Sequence, residues 1–325
     1  IAVLLGPGLA ATDELVLAGR DPAKLARSAE AVASPASVTT GRVDVTDLDA
    51  VRELVTGADL VVVTVSRPDL VKDLARIVLD ADADWLDTML STPGKLAALQ
   101  ALADEIADAG RCFVTDGGFH PGLPAVLVRW AAGRLDELIE ADVFAAMRMG
   151  WRADTLADST VAEMFDEFAD FDLVAWVDGE SRRLRGRECP SVDFGPPIGR
   201  KACVPMRLAE MDALPGLYPG LRRCGFYIGG FSPAMDYLVL PVLMGMAKVQ
   251  ALRPPAIRLA RWSFRRLATY PPPYRLVVRL DATGTRDGRP ATASVSVQGE
   301  DGYLLTAAPA VTCLRGMLDG SIRRP

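Results

Sequence analysis

Ile1–Arg20 reads IAVLLGPGLAATDELVLAGR, and the order of its pieces decides the fold. Ile1–Leu5 is a short apolar run closed by Gly6-Pro7-Gly8, and Glu14–Ala18 is a second apolar run closed by Gly19-Arg20-Asp21. Strand, tight glycine turn, strand and arginine together form the opening of a dinucleotide-binding fold, with a pyrophosphate cradle at the turn and a 2′-phosphate contact at the arginine. Only Leu9–Asp13 separates the turn from the second strand. Parallel neighbours need a crossover of about a dozen residues or more, usually a helix. The first crossover helix is therefore missing, and a stretch of polypeptide is expected to be absent between Gly8 and Glu14. Ser321–Pro325 likewise reads as an interruption rather than a designed end.

Outward from that stretch, the first 125 residues alternate strand-like and helix-like runs, as a parallel sheet with covering helices requires. Val38–Val45 is a strand candidate, followed by a helix opened at Thr46-Asp47. Asp59–Val65 is a continuous β-branched run suited to a strand buried on both faces. Pro68-Asp69 opens a further helix, Trp85–Met89 is a short strand, Pro93–Ala109 a long amphipathic helix and Arg111–Thr115 a sixth strand. The expected class is α/β: a Rossmann-type doubly wound parallel sheet over residues 1–125. An α+β substrate and dimerisation domain with a mixed or antiparallel sheet follows over 126–306. There Ala141–Met147 and Leu173–Val177 read as strands, and so does the pair Tyr274–Ala282 and Ala291–Gln298, which the turn-rich Thr283–Pro290 joins as a hairpin. Residues 307–325 form a C-terminal helix expected to pack back toward the Rossmann domain.

The 325 residues are 50% apolar and 24% charged, an ordinary globular composition. A net charge of −6 argues against nucleic acid as a partner, because phosphate neutralisation needs a basic face. The local cluster Arg258, Arg261, Arg265 and Arg266 reads as the solvated face of a helix. The five cysteines form no CxxC pair, so a zinc site is not expected and a reduced, cytoplasmic protein fits best. Tyr237–Ala247 is the most apolar stretch, but it falls short of the ~20 residues that span a bilayer and reads as a buried helix.

Candidate site residues collect where strands end. Gly6 and Gly8 are placed at the pyrophosphate, although Ala11 fills the slot of the third fingerprint glycine and a simple loop explains Gly-Pro-Gly about as well. Arg20 clamps a 2′-phosphate, with Lys24 as a supporting charge, which points to NADP(H) ahead of NAD(H). Asp21, before Pro22, suits a helix N-cap. Asp44 and Val45 are placed beside adenine, and Thr64 and Ser66 toward the nicotinamide. Asp87 lies at the same rim and is assigned to the substrate cleft. Asp116–Pro124 (DGGFHPGLP) makes a rigid loop after a strand, at the handover between domains. Gly118 is assigned to the cofactor, and Phe119, Pro121 and Phe231 to the substrate cleft. His120, the single histidine, is the candidate catalytic group, against the plainer reading of a loop residue bonded to the backbone.

Ala18-Gly19-Arg20-Asp21, Asp44-Val45-Thr46-Asp47, the Gly118–Pro124 handover and the tail Asp301–Ala310 with Leu318-Asp319-Gly320 resemble the saccharopine dehydrogenase-like reductases. In that family a G-x-G-x-x-G loop and a full helix precede the second strand, a pattern from which this chain departs. The resemblance implies a Rossmann domain, an α+β domain whose sheet often serves dimerisation, and a nicotinamide cofactor. It covers amino-acid imine reductases, polyamine-forming enzymes and trans-acting enoyl reductases. The expected function is an NADPH-dependent oxidoreductase, a cytoplasmic homodimer, passing hydride to a C=N or C=C bond of a small or acyl substrate in the interdomain cleft. The alternative is a non-catalytic NADP(H)-binding sensor or scaffold.

Overall fold

The computed structural model describes residues 1–65, 67–150, 172–247 and 249–322. They divide into two compact units, Ile1–Leu123 with Tyr303–Pro325, and Pro124–Gly302.

In the first unit, β1 (Glu14–Gly19) and β2 (Ser37–Arg42) pair in parallel, with Glu14 opposite Ser37. A second parallel sheet joins β3 (Leu60–Val63), β4 (Asp84–Asp87) and β5 (Phe113–Val114). Helices α1 (Ala2–Leu5), α2 (Pro22–Glu30), α3 (Leu48–Val55), α4 (Val71–Asp80), α5 (Pro93–Gln100) and α6 (Ala103–Asp108) accompany them. Side chains start the helices where the sequence places caps: Asp21 accepts the amides of Ala23 and Lys24 at 3.0 and 3.1 Å, and Asp47 accepts that of Ala50 at 3.1 Å. The long helix expected over Pro93–Ala109 is broken at Ala101-Leu102.

The strand expected at Ile1–Leu5 is instead α1, which runs into a 3₁₀ turn at Gly6–Gly8. Leu9–Asp13 joins that turn directly to β1. Five residues cannot return the chain to the start of a parallel neighbour, so the apolar segment closes on itself locally. Leu5 packs with Leu86 and Cys112 and with Ala310, Val311, Leu314 and Met317 of the C-terminal helix. In a doubly wound sheet the absent strand would stand between β1 and β3. Its loss leaves two parallel sheets in place of the single six-stranded one expected. The architecture is still doubly wound: Val51, Val55, Val71, Leu74 and Val78 pack with Trp85 in a separate core.

The second unit opens with α7 (Leu123–Ala132) and holds β6 (Glu137–Arg148), β7 (Val174–Val177), β8 (Glu180–Arg183), β9 (Ser191–Asp193), β10 (Arg200–Pro205), β11 (Arg223–Gly229), β12 (Arg275–Arg286) and β13 (Arg289–Gly299). One mixed sheet runs β13-β12-β6-β11-β10-β9, with β7 also on β11 and β8 on β7. The β6–β11 pair is parallel and the rest antiparallel. The β12–β13 hairpin turns through Asp287-Gly288, both at positive φ (52° and 68°), the Asp-Gly signature of a type I′ turn. Beyond the sheet, a single π turn (Met235–Val239) leads into α8 (Leu240–Ala247), followed by α9 (Arg253–Leu267). Met235, Leu243, Ala256, Ala260 and Phe264 form their core. The apolar run is not buried all round, contrary to the sequence expectation: Tyr237, Leu238 and Val242 are 73%, 68% and 50% exposed. Met235 and Leu243 are the fully buried positions of the segment that pack with α9, and Val239, Leu240 and Met246 are partly buried against the same core. The last helix, α10 (Gly302–Leu318), starts five residues before the expected boundary at 307.

Candidate functional site

Ligands of open α/β sheets bind at the carboxyl ends of strands, so that edge of the first unit is the candidate site. After β1 comes Arg20, exposed, then Lys24 on the first turn of α2, exposed as well. After β2 comes Asp44, which accepts the amide and hydroxyl of Thr46 at 3.0 and 2.8 Å. Those bonds, reinforced by the charges of Arg20 and Arg67, hold the Asp44 carboxyl below the usual range. After β3 come exposed Thr64 and half-buried Arg67, whose guanidinium grips Asp69 through two bonds of 2.8 and 2.7 Å. Ser66 lies outside the described residues. Arg20, Asp44 and Arg67 thus share one electrostatic neighbourhood, a role for Arg67 that the sequence alone does not assign. Val45, expected beside a ligand ring, is half-buried against the core of α3 and α4.

Gly6 and Gly8 do not form a strand-to-helix glycine turn. A Cβ on Gly6 would lie 2.6 Å from Val32 Cγ1, and one on Gly8 would lie 3.4 Å from the Arg315 guanidinium. Gly6 is a packing glycine, needed so that the N-terminal turn can close on Val32–Ser34.

The β4 and β5 ends belong to a different kind of structure. Asp87 and Lys95 are both fully buried, their charges joined at 2.6 Å. Lys95 Nζ also donates to the Met89 carbonyl at 2.6 Å and to Asp116 at 3.1 Å. Asp87 accepts the Trp85 indole N–H at 2.8 Å and the Met89 amide at 3.0 Å, and Ser91 donates to Asp116. Asp87, expected to line a substrate cleft, is therefore consumed inside the unit. Lys95 lies in the first turn of α5, capped by Thr92. A cation there opposes the helix dipole, which is the one sequence signal that it needs a buried carboxylate partner.

The loop after β5 folds onto this cluster. Asp116 holds a positive φ of 62°, and a Cβ on Gly122 would lie 1.9 Å from its carbonyl, so only glycine fits there. Gly118 donates its amide to Pro121 O and accepts that of Leu123, each at 3.1 Å. That closure explains why Gly118, Phe119 and Pro121 are buried rather than presented to a ligand. His120, half-buried and 5.6 Å from the Phe119 ring, has its pKa lowered by burial, which favours the neutral imidazole. In the second unit Phe231 is a core residue, edge-on to Phe264 at 5.1 Å, and not a cleft residue. Among the described residues, no group of three His, Cys, Asp or Glu side chains could hold a metal ion, and no helix is long and apolar enough to cross a membrane.

These features define a Rossmann-type α/β unit in series with a mixed-sheet unit. No protein-family model and no curated protein matches the chain. Among solved structures it is similar to apo saccharopine dehydrogenase (L-Glu forming) from Saccharomyces cerevisiae, at 15% identity over 99% of this chain and 90% of that one, with a TM-score of 0.66. Weaker likenesses include the C. glutamicum DAP dehydrogenase in complex with DAP (15% identity, 90% and 85% covered, TM-score 0.45). An engineered D-amino acid dehydrogenase bound to NADP+ follows (13% identity, 92% and 87% covered, TM-score 0.44). At such identities the first likeness establishes the fold and nothing finer.

Proposed function

We propose that the chain is an NADPH-dependent oxidoreductase of the saccharopine dehydrogenase-like type, acting on a C=N or C=C bond of a small or acyl substrate. The observation that carries this reading is the exposed cation at the carboxyl end of β1. Arg20 stands where a 2′-phosphate contact is placed in this fold, with Lys24 one turn into α2. A planar guanidinium matches phosphate oxygens in pairs, and a lysine adds a point charge. Asp44, held ionised, is suited to accept an adenine amino group.

The residues fit the adenosine end of a dinucleotide and not its pyrophosphate, because Gly6 is closed by Val32–Ser34. When bound, the nicotinamide supplies a hydride, while Arg20, Lys24 and Asp44 bind and orient the adenosine end. Thr64 and Ser66 follow β3 and are proposed for the nicotinamide side, and neutral His120 for a proton-carrying or hydrogen-bonding role. A cytoplasmic homodimer completes the proposal. Five cysteines without disulfides suit that compartment, and the sheet-edge strand β13 suits a dimer contact.

The closed Gly6 turn and the buried Asp87, Phe119 and Pro121 favour a second reading, a non-catalytic NADP(H) sensor or scaffold. Incubating the full chain with NADPH and a panel of imines and enoyl thioesters separates the two. Oxidation of NADPH with one of them supports the enzyme, and saturable binding without oxidation across the panel supports the sensor.

A further inference from the structure

The second unit contains a cavity of about 850 Å³, within the size range of small-ligand pockets. One wall is α9, which contributes Arg258, Arg261, Arg265 and Arg266 with Trp262 among them; the other carries Tyr270 and Tyr274. At 3.6 residues per turn these five α9 positions share one stripe of the helix, opposite the buried Ala256, Ala260, Ser263 and Phe264. Trp262 is 54% exposed, so its indole is available to a ligand. The Tyr270 wall is fixed: its hydroxyl donates to Phe231 O, and the Arg148 guanidinium lies 4.6 Å from the ring centroid.

Like charges three or four residues apart on a helix repel. Arg258, Arg265 and Arg266 form no ion pair with any carboxylate among the described residues. Along this stripe Arg258, Arg261 and Arg265 stand three and four residues apart, and an anion seated in the cavity would lower their mutual repulsion. The guanidinium fork pairs with phosphate oxygens, and one carboxylate would occupy only part of the set. Indole and phenol faces accept a planar ring at the same place.

We infer that this cavity binds a phosphorylated ligand carrying a planar ring, of the nucleoside diphosphate class. This site is independent of the Arg20 edge and stands or falls separately from the proposed oxidoreductase. An anionic membrane is the rival occupant, disfavoured because the arginines line a hollow.

The test is calorimetric titration of the full chain with ADP, with inorganic pyrophosphate and with phosphatidylserine vesicles, at saturating NADPH. One ADP should bind per chain, with an affinity that falls steeply with salt. Arg258→Gln with Arg265→Gln should weaken both ADP and pyrophosphate about tenfold or more. Trp262→Ala should weaken ADP and leave pyrophosphate unchanged. All three positions are exposed, and an unaltered Tm confirms that the variants fold. Arg20→Asp should leave ADP binding intact. The inference is overturned if the double variant binds ADP like the parent, if Trp262→Ala weakens both ligands equally, or if Arg20→Asp abolishes ADP binding. Vesicle binding without ADP binding overturns it in favour of a membrane surface.

Discussion

Lys95 in the first unit and Arg258, Arg265 and Arg266 of α9 in the second meet opposite conditions. Lys95 has lost all its water, and its ammonium is enclosed by Asp87, the Met89 carbonyl and Asp116. The three arginines keep theirs, crowd one stripe and face a hollow. Burying a charge costs several kcal/mol unless partners surround it, so the first cluster is closed by necessity and its carboxylates are not available for chemistry. An open cluster carries no such requirement, and the phosphorylated ligand proposed above would supply the anion it faces. Charge that is satisfied inside the chain builds the fold, and charge left open marks the surfaces to test.

The largest expected effect comes from breaking the closed cluster. Lys95→Met strands Asp87, fully buried, and should cost about 3–5 kcal/mol in urea unfolding. A loss comparable to that of a surface substitution would show that the cluster is not closed in solution.

The second unit has its own buried acid. Burial raises Asp142 from 3.8 to about 6, with the opposing charge of Arg223, 2.5 Å away, only partly offsetting it. A carboxyl whose folded pKa is raised contributes stability that is complete below its unfolded value and disappears as pH rises through its folded one. The window is therefore about pH 4 to 6, and the contribution lost by neutral pH amounts to about 3 kcal/mol at most. Stability measured against pH should fall less steeply across that window in Asp142→Asn than in the parent. Parallel curves would show that Asp142 does not titrate there.

The smallest effect is expected at the exposed apolar ridge before α9. Leu238→Ser should change stability by less than about 0.5 kcal/mol, whereas Met235→Ala, in the core beside it, should cost about 2–5 kcal/mol. Chemical denaturation of the pair checks whether the exposed face is free of packing.

Much of the fold was legible. The unbroken β-branched run at Asp59–Val65 became β3, Asp21 before Pro22 became a cap, and Asp287-Gly288 closed the predicted hairpin. Ile1–Leu5 misled because five apolar residues carry no periodicity that separates a helical turn from a buried strand; tertiary context decided. Asp87 misled for a different reason. Its position at a strand end was right, but its burial depends on a lysine eight residues away that reads as an ordinary helix residue. The arginine stripe was visible in the sequence, whereas the hollow it lines depends on Tyr270 and Tyr274 and appears only in three dimensions.

The proposed function rests on Arg20 recognising a 2′-phosphate, and the most direct measurement is the affinity of NADPH and NADH for the full chain and for Arg20→Asp. The parent should prefer NADPH, and the substitution should weaken NADPH by about tenfold or more while leaving NADH within about twofold. Equal losses for the two dinucleotides, or no NADPH binding by the parent, would contradict that role for Arg20.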